Sequence, residues 1–581
     1  VSGRFMNQRV APCPLEVRAS AAMWDEGRLV QWISSQGAQG AKAAFIAANG
    51  GDADAVHLIT PDVGGGFGAK IDSYPEELLL GPIAKLLGRP VRWRETRSES
   101  MMNLGHGRGQ LQYITIGGTR EGKVTHYQLR AIQDAGAFVG MGTILAPFFT
   151  RPMASGVYDI PNIECRTTSV VTNTTPTTAY RGAGRPEATA AIERAMDMFA
   201  LEIGKDPAEV RRMNLIAKFM EPHTTSIGQT YDVGDFEGAL DKALDTAGYA
   251  DLRAEQQARR ESGDAKQLGI GVSVYVEITG GVDPKQEAAK LEVHDDGTAT
   301  VYTGTSPHGQ GHETVWAMLA HDETGIPMDK ITLVWGDTDL VPSGGGTMGS
   351  RSVPIGGAAI SAAALKLIET TKHKAAELME SAVTDIEFDS GEFRIVGTDV
   401  TQSFQSVAKA AAPADGGASF DEAETFAPTS ATYPNGTHVC ELEIDMDTAT
   451  IEIIDYCVVD DFGKAINPQM LKGQVHGGIA QGLGQALLEC CLYESESGQL
   501  LSATFMDYTM PRADDLPPIR FKRNEVPCTT NPLGIKGAGE AGAIGAPPAI
   551  INAVVNALTE YGVRHVDMPI RQSDLWQLLH K

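Results

Sequence analysis

The chain has 581 residues, 42% of them hydrophobic, and a formal net charge of −26. That size suffices for a substantial core and more than one domain, while the acidic balance disfavours nucleic acid and anionic membrane surfaces as partners. Its 64 glycines exceed the usual ~7% and are clustered rather than periodic, which excludes collagen-like and disordered readings.

The opening Val1-Ser-Gly-Arg-Phe-Met-Asn-Gln-Arg9 lacks an initiator Met and reads as the middle of a longer protein or a processed subunit. No signal peptide opens it and no apolar run reaches the ~18 residues of a membrane span, so the cytoplasm is the expected compartment. Ala55 to Thr60 reads as a strand leading into a glycine-rich loop, Gly64 to Lys70. Ile192, Ala195, Met196, Phe199, Ala200 and Ile203 keep helical spacing, with Gly204 where a C-cap belongs. Asp206-Pro-Ala-Glu209 predicts an N-cap, a proline at the first helical position and a capping box. The polar segment Asp251 to Lys266 is the expected boundary, dividing the chain into 1–250 and 251–581. Leu291 to Val301 predicts a hairpin around an Asp/Gly turn, and Leu442 to Ile451 repeats it with one residue fewer. A glycine-rich stretch and a helix follow each, which predicts an internal duplication in the second part. An Ala-rich helix is expected from about Ile355 to Leu378 and a buried one over Ala549 to Leu558. The class is α+β.

Seven cysteines without a C-x-x-C pair give poor support to a disulfide framework, a zinc site or a protein-held iron–sulfur cluster. Chemistry concentrates instead in five glycine-rich loops: Gly64–Lys70, Thr178–Glu187, Pro307–His312, Gly344–Ser352 and Gly534–Pro548. Four open helices, where exposed backbone N–H groups bind anions, phosphate above all. The familiar nucleotide motifs fail. No glycine precedes Lys70 and no Ser or Thr follows it, so Walker A does not fit. Gly537-Ala-Gly-Glu-Ala-Gly542 has the G-x-G-x-x-G spacing without an apolar strand before it. No G-x-S-x-G elbow occurs.

Taken together, Gly64–Lys70, Ala179–Glu187, Gly309-Gln-Gly311, Gly349–Ser352, Gly473–Gly482 and Gly537–Glu540 resemble, in order and over nearly the whole chain, one family. It is the molybdenum-binding large subunit of the xanthine oxidase, aldehyde oxidase and aerobic carbon monoxide dehydrogenase group. The resemblance implies two elongated mixed α/β cofactor-binding domains, with the family's N-terminal hammerhead-type domain absent from this sequence. It implies molybdopterin cytosine dinucleotide with molybdenum held by the pterin dithiolene, so no protein metal ligand is expected. It also implies 2Fe–2S clusters on a small subunit and FAD on a medium subunit, assembled as a dimer of heterotrimers.

Carried over residue by residue, the resemblance makes Glu540 the general base, in a dry cavity where its pKa can rise towards the working pH. Gln36 becomes the glutamine that bonds the apical oxygen, and Arg181 lines the substrate side, able to stabilise developing charge. Gly66, Phe67, Gly68, Gly182 and Gly539 bring backbone to the cofactor. Gln310, Ser350, Ser352 and Gln474 are expected to hold pterin and nucleotide, with Gly309, Gly311 and Gly349 keeping the backbone close. Two departures narrow the substrate. Carbon monoxide-oxidising members carry a copper-holding cysteine where Gly182 stands, and purine-oxidising members an acid where Ile71 stands. The implied reaction is hydroxylation of an aldehyde or N-heteroaromatic carbon with oxygen from water. The alternatives are a carbon monoxide dehydrogenase-like homologue of other substrate and a non-catalytic scaffold subunit.

Overall fold

A computed structural model describes residues 1–281, 285–414 and 416–580. Four four-stranded sheets share one plan: a hairpin with an antiparallel strand along its first member and a parallel strand along its second. In the first, Ser2–Val10 lies against Gly107–Gly118, which pairs Val124–Gly136, which pairs Asn162–Val171 in parallel. The second runs Val91–Arg94, Ala19–Asp25, Arg28–Ile33, Val56–Ile59. The third runs Lys266–Val276, Asn435–Asp445, Ile451–Asp461, Ile519–Arg523. The fourth runs Phe420–Phe426, Glu287–Val293, Ala299–Thr303, Ile331–Val334.

A parallel return needs a crossover, and each sheet has a helix in it. These are Met141–Thr150, Ala38–Asn49, Pro468–Leu483 and His312–Thr324, in the order of the sheets just given. The duplication expected in the second part is therefore present, and the same plan also recurs in the first part. The first-part turns share Glu-Gly followed by a basic residue, at Glu26-Gly27-Arg28 and Glu121-Gly122-Lys123, a signal that the expectation did not include.

Three local expectations are revised. The polar segment after Asp251 is no linker: helix Tyr249–Ser262 closes on left-handed Gly263, and Gln256 Nε2 donates to Leu268 O and Asn556 Oδ1. Asp206 accepts from the amides of Ala208 and Glu209, but Glu209 pairs with Arg212 instead of completing a capping box. The helix read from Ala549 begins at Gly542 and contains Pro547 and Pro548. Small residues permit this, because its opening turns press on Pro468–Leu483 so closely that a Cβ on Gly482 would lie 2.6 Å from Ala546 Cβ.

The largest core cluster joins Phe5, Leu129, Phe199 and Leu240 to Leu268, Val274 and Val459, and so crosses residue 250. Segment Ser352–Leu378 is long and apolar enough to span a membrane, but 67% of its most apolar window is buried inside the protein. It is a core helix by its packing.

Candidate active site

The glycine loops converge on one cavity of about 1280 Å³, larger than the ~300–1,000 Å³ of ordinary small-molecule sites. Gln36 ties two of them together. Its Oε1 accepts from the amides of Gly68 (2.9 Å) and Lys70 (3.2 Å), and its Nε2 donates to Thr347 O at 2.9 Å. Only glycine fits at 66, where a Cβ would stand 2.5 Å from Gln36 Oε1. Phe67 (φ 54) and Ser350 (φ 55) are non-glycine residues in the left-handed region, a strained conformation that clusters at functional sites. Phe67 O then receives the Arg181 amide at 2.9 Å, joining the first loop to the second.

Arg181 is anchored by acceptors rather than by an acid. Nε donates to Gly539 O (2.6 Å), Nη1 to Gln481 Oε1 (3.1 Å) and Nη2 to Gln474 O (2.9 Å). Of the five N–H donors of a guanidinium, these use three and leave the others for a ligand.

Glu540, its side chain 15% exposed, accepts from Gly182 N (2.8 Å), Ser350 Oγ (2.7 Å) and Arg185 Nη2 (2.8 Å). Burial alone would push this carboxyl up. The Arg185 guanidinium, with Ser350 and Gly182, outweighs it and holds the pKa below the ordinary carboxylate range. The rise expected from a dry cavity is thus reversed, because a buried cation and two neutral donors were invisible in the sequence around Glu540. The sign has a consequence for activity. A base with a depressed pKa stays competent down to lower pH, so Arg185→Gln should move the acid limb of the kcat/KM profile to higher pH. An unmoved limb would show that Arg185 does not tune this carboxylate.

The remaining expected residues divide. Gly309, Gln310, Gly349, Ser352, Gln474 and Gly539 line the cavity. Gly182 and Gly311 are not on its wall. Gly182 (φ 98) lies behind it, giving its amide to Glu540, and Gly311 (φ 80) caps helix His312–Thr324. Gln310 is turned to its own loop, accepting the His308 amide and contacting His312 Nε2 at 3.2 Å. Ser352 Oγ donates to Thr347 at 3.2 Å.

A Cβ on Gly182 would meet Pro186 Cγ at 2.6 Å and demand a left-handed side chain. Gly182→Cys should therefore displace the amide that holds Glu540 and lower kcat at least ~10-fold, about 1.4 kcal/mol. Wild-type kcat in that variant would refute the geometry.

Four groups escaped the sequence reading. Arg185 lies inside the Thr178–Glu187 loop, and its role there is not legible in the sequence. Glu277 is a lone acid at the end of the apolar strand Lys266–Val276, and that isolation was the available signal. His308 Nε2 and His312 Nδ1 are buried without hydrogen-bond partners, and burial lowers both imidazoles to about 3, so they are neutral. Both side chains line the cavity.

These features fit a large group with a phosphate-bearing tail. Backbone is bared at Gly309, where an added Cβ would meet nothing within 4 Å. Lys464 brings positive charge to the wall, whereas the Arg351 charge is met by Glu287 at 2.6 Å. Two orphaned imidazole nitrogens await partners. Among the described residues no cluster of three or more His, Cys, Asp or Glu side chains could hold a metal ion directly.

Comparison with known proteins gives the same direction. The description "Molybdopterin cofactor-binding domain" matches residues 1–215 and 242–517. The carbon monoxide dehydrogenase large chain of Hydrogenophaga pseudoflava is 34% identical over 100% of this chain and 74% of its own. A crystal structure of Cu,Mo-CO dehydrogenase superposes with a TM-score of 0.95 at 32% identity, over 100% of this chain and 76% of that one. Quinoline 2-oxidoreductase from Pseudomonas putida 86 does so with a TM-score of 0.94 at 32% identity, over 100% and 76%.

Proposed function

The chain belongs to the molybdopterin-binding large subunits of the molybdenum hydroxylases, and from this we propose that it hydroxylates an aldehyde or an N-heteroaromatic carbon with oxygen from water. It is a molybdenum-dependent oxidoreductase. The observation that carries the proposed chemistry is the ionised Glu540 on the wall of the cavity where the glycine loops meet.

The molybdenum cofactor, when bound, supplies the two-electron acceptor. Backbone at Gly66, Phe67, Gly68, Gly309, Gly349 and Gly539 would cradle it, with Gln310, Ser350, Ser352 and Gln474 beside it. We assign it the cytosine dinucleotide form, whose pyrophosphate suits Lys464 and the bared backbone at Gly309. Gln36 holds the loop amides of Gly68 and Lys70 in place. Glu540 receives a proton from the attacking water-derived oxygen, a role worth roughly 10²–10⁴ in rate. Arg181, fixed by three acceptors, directs its remaining N–H groups at a ring nitrogen or carbonyl oxygen as charge builds there. The cavity also presents Leu15, Phe67, Ile71, Met141, Leu145 and Phe149. Such a wall suits an uncharged aromatic or aliphatic body better than a purine. Gly182, hemmed in by Pro186, argues against carbon monoxide as the substrate.

We further assign partner subunits carrying 2Fe–2S clusters and FAD, a dimer-of-heterotrimers assembly and a cytoplasmic location. A dye-coupled screen of aldehydes, N-heterocycles and carbon monoxide on the purified complex tests the reading. Reduction by an aldehyde or heterocycle is expected. Turnover with carbon monoxide alone, or a metal-free protein from a molybdenum-competent host, would contradict it.

A further inference from the structure

Glu277 has no exposed surface, and the proposed chemistry makes no use of it. Its Oε1 accepts from Arg185 Nη2 at 3.0 Å, and the same nitrogen donates to Glu540 Oε2 at 2.8 Å. One guanidinium nitrogen thus bridges two carboxyl groups. Their surroundings differ sharply. Glu540 takes three donors, whereas Glu277 Oε2 finds no hydrogen-bond partner. An ionised carboxylate enclosed in protein needs donors on both oxygens, and burying it without them is far costlier than burying the neutral acid.

The other charged and titratable groups nearby do not change the balance. Glu187, on the same helix as Arg185, takes the Gly184 amide at 2.7 Å and lies 4.0 Å from Arg108. Arg181 is turned to the carbonyls of Gly539 and Gln474. Tyr275 donates to Asp460 at 2.9 Å. Among the described residues Arg185 is the cation that hydrogen-bonds both acids, and the Arg181 charge acts on the two without bonding either.

We propose that Glu277 is a positioning residue for the reaction: a proton-bearing carboxyl that shares Arg185 with Glu540 and leaves Glu540 the ionised member of the pair. This deepens the assignment of Glu540 as base and rests on it. Burial first, and then the Glu540 charge, push the Glu277 carboxyl well above the ordinary range, against the opposing pull of Arg185. Two carboxyl groups so coupled titrate as a unit. Neutral Glu277 leaves the full charge of Arg185 to Glu540, and Glu277 itself neither gains nor loses a proton during turnover. The proton taken from the attacking oxygen resides on Glu540 and leaves from there.

The test is infrared spectroscopy of the intact holoenzyme at about pH 9, where Glu489 (about 7) and Asp460 (about 8) are largely ionised. A protonated-carboxyl C=O band that shifts in deuterated buffer is expected in the wild type. It should vanish in Glu277→Gln and persist at a displaced frequency in Glu277→Asp, which keeps a carboxyl if the amide variant does not fold. The acid limb of kcat/KM in Glu277→Gln should stay within about 0.3 pH unit, because a neutral group replaces a neutral group. Absence of the band in the wild type, or a downward shift of that limb by about one unit or more, the effect of deleting a neighbouring anion, would overturn the proposal. Neither result touches the role of Glu540, which fails separately if Glu540→Gln turns over normally.

Discussion

Glu540→Gln lowers kcat by about 10²–10⁴-fold, the range general-base catalysis supplies, while molybdenum content stays at the wild-type level. The amide keeps the shape of the side chain but cannot take up a proton. Its one oxygen can still accept the Gly182 amide, which meets Glu540 Oε1 at 2.8 Å, and its NH2 can donate to Ser350 Oγ, which meets Oε2 at 2.7 Å. The loops therefore remain assembled, and the loss falls on kcat rather than on cofactor retention. Metal analysis and dye-coupled kinetics on one preparation check both halves. Full turnover would remove Glu540 as base. Loss of metal together with activity would make it a structural carboxylate.

Gly271→Ala destabilises the protein by about 3 kcal/mol, the upper end of ordinary overpacking. Strand Lys266–Val276 passes beneath helix Gly542–Ala557 so closely that a Cβ at Gly271 would lie 1.9 Å from Ala549 O and 2.4 Å from Ala553 N. Both are backbone atoms, so no side chain can swing aside. Gly269 makes the same approach, 2.2 Å to Ala553 O. The helix must lift, and it directly follows the Glu540 loop. Activity therefore falls along with the melting temperature. Denaturant unfolding of the wild type and the variant measures the loss, and an unchanged midpoint would refute the close contact.

How much of this was legible in the sequence depended on the range of the interaction. The hairpins at Leu291–Val301 and Leu442–Ile451 and the cap at Gly204 are local signals, written in alternation and turn residues, and they appear as the pattern predicts. The Gly542–Ala557 helix was read too short because two prolines ordinarily end a helix. Packing against Gly478 and Gly482 overrode that rule. The fourfold sheet plan was half visible, since the Glu-Gly turns at 26–27 and 121–122 are short matches and the rest of the plan resides in strand pairing. At the site, the glycine loops could be recognised, but not what stands behind them. The Arg185 bridge joins residues 277 and 540 through position 185, and no spacing in the sequence reports such a meeting. The direction of the Glu540 shift was missed for that reason.

We propose that distant main-chain loops close around one molybdenum cofactor, with Glu540 facing its reactive side. Anomalous diffraction at the molybdenum edge from crystals of the intact complex tests it most directly. A single molybdenum peak inside the cavity, on the side walled by Gln36, Gly68, Arg181 and Glu540, is the predicted result. A peak outside that cavity, or one at its end remote from Glu540, would contradict it.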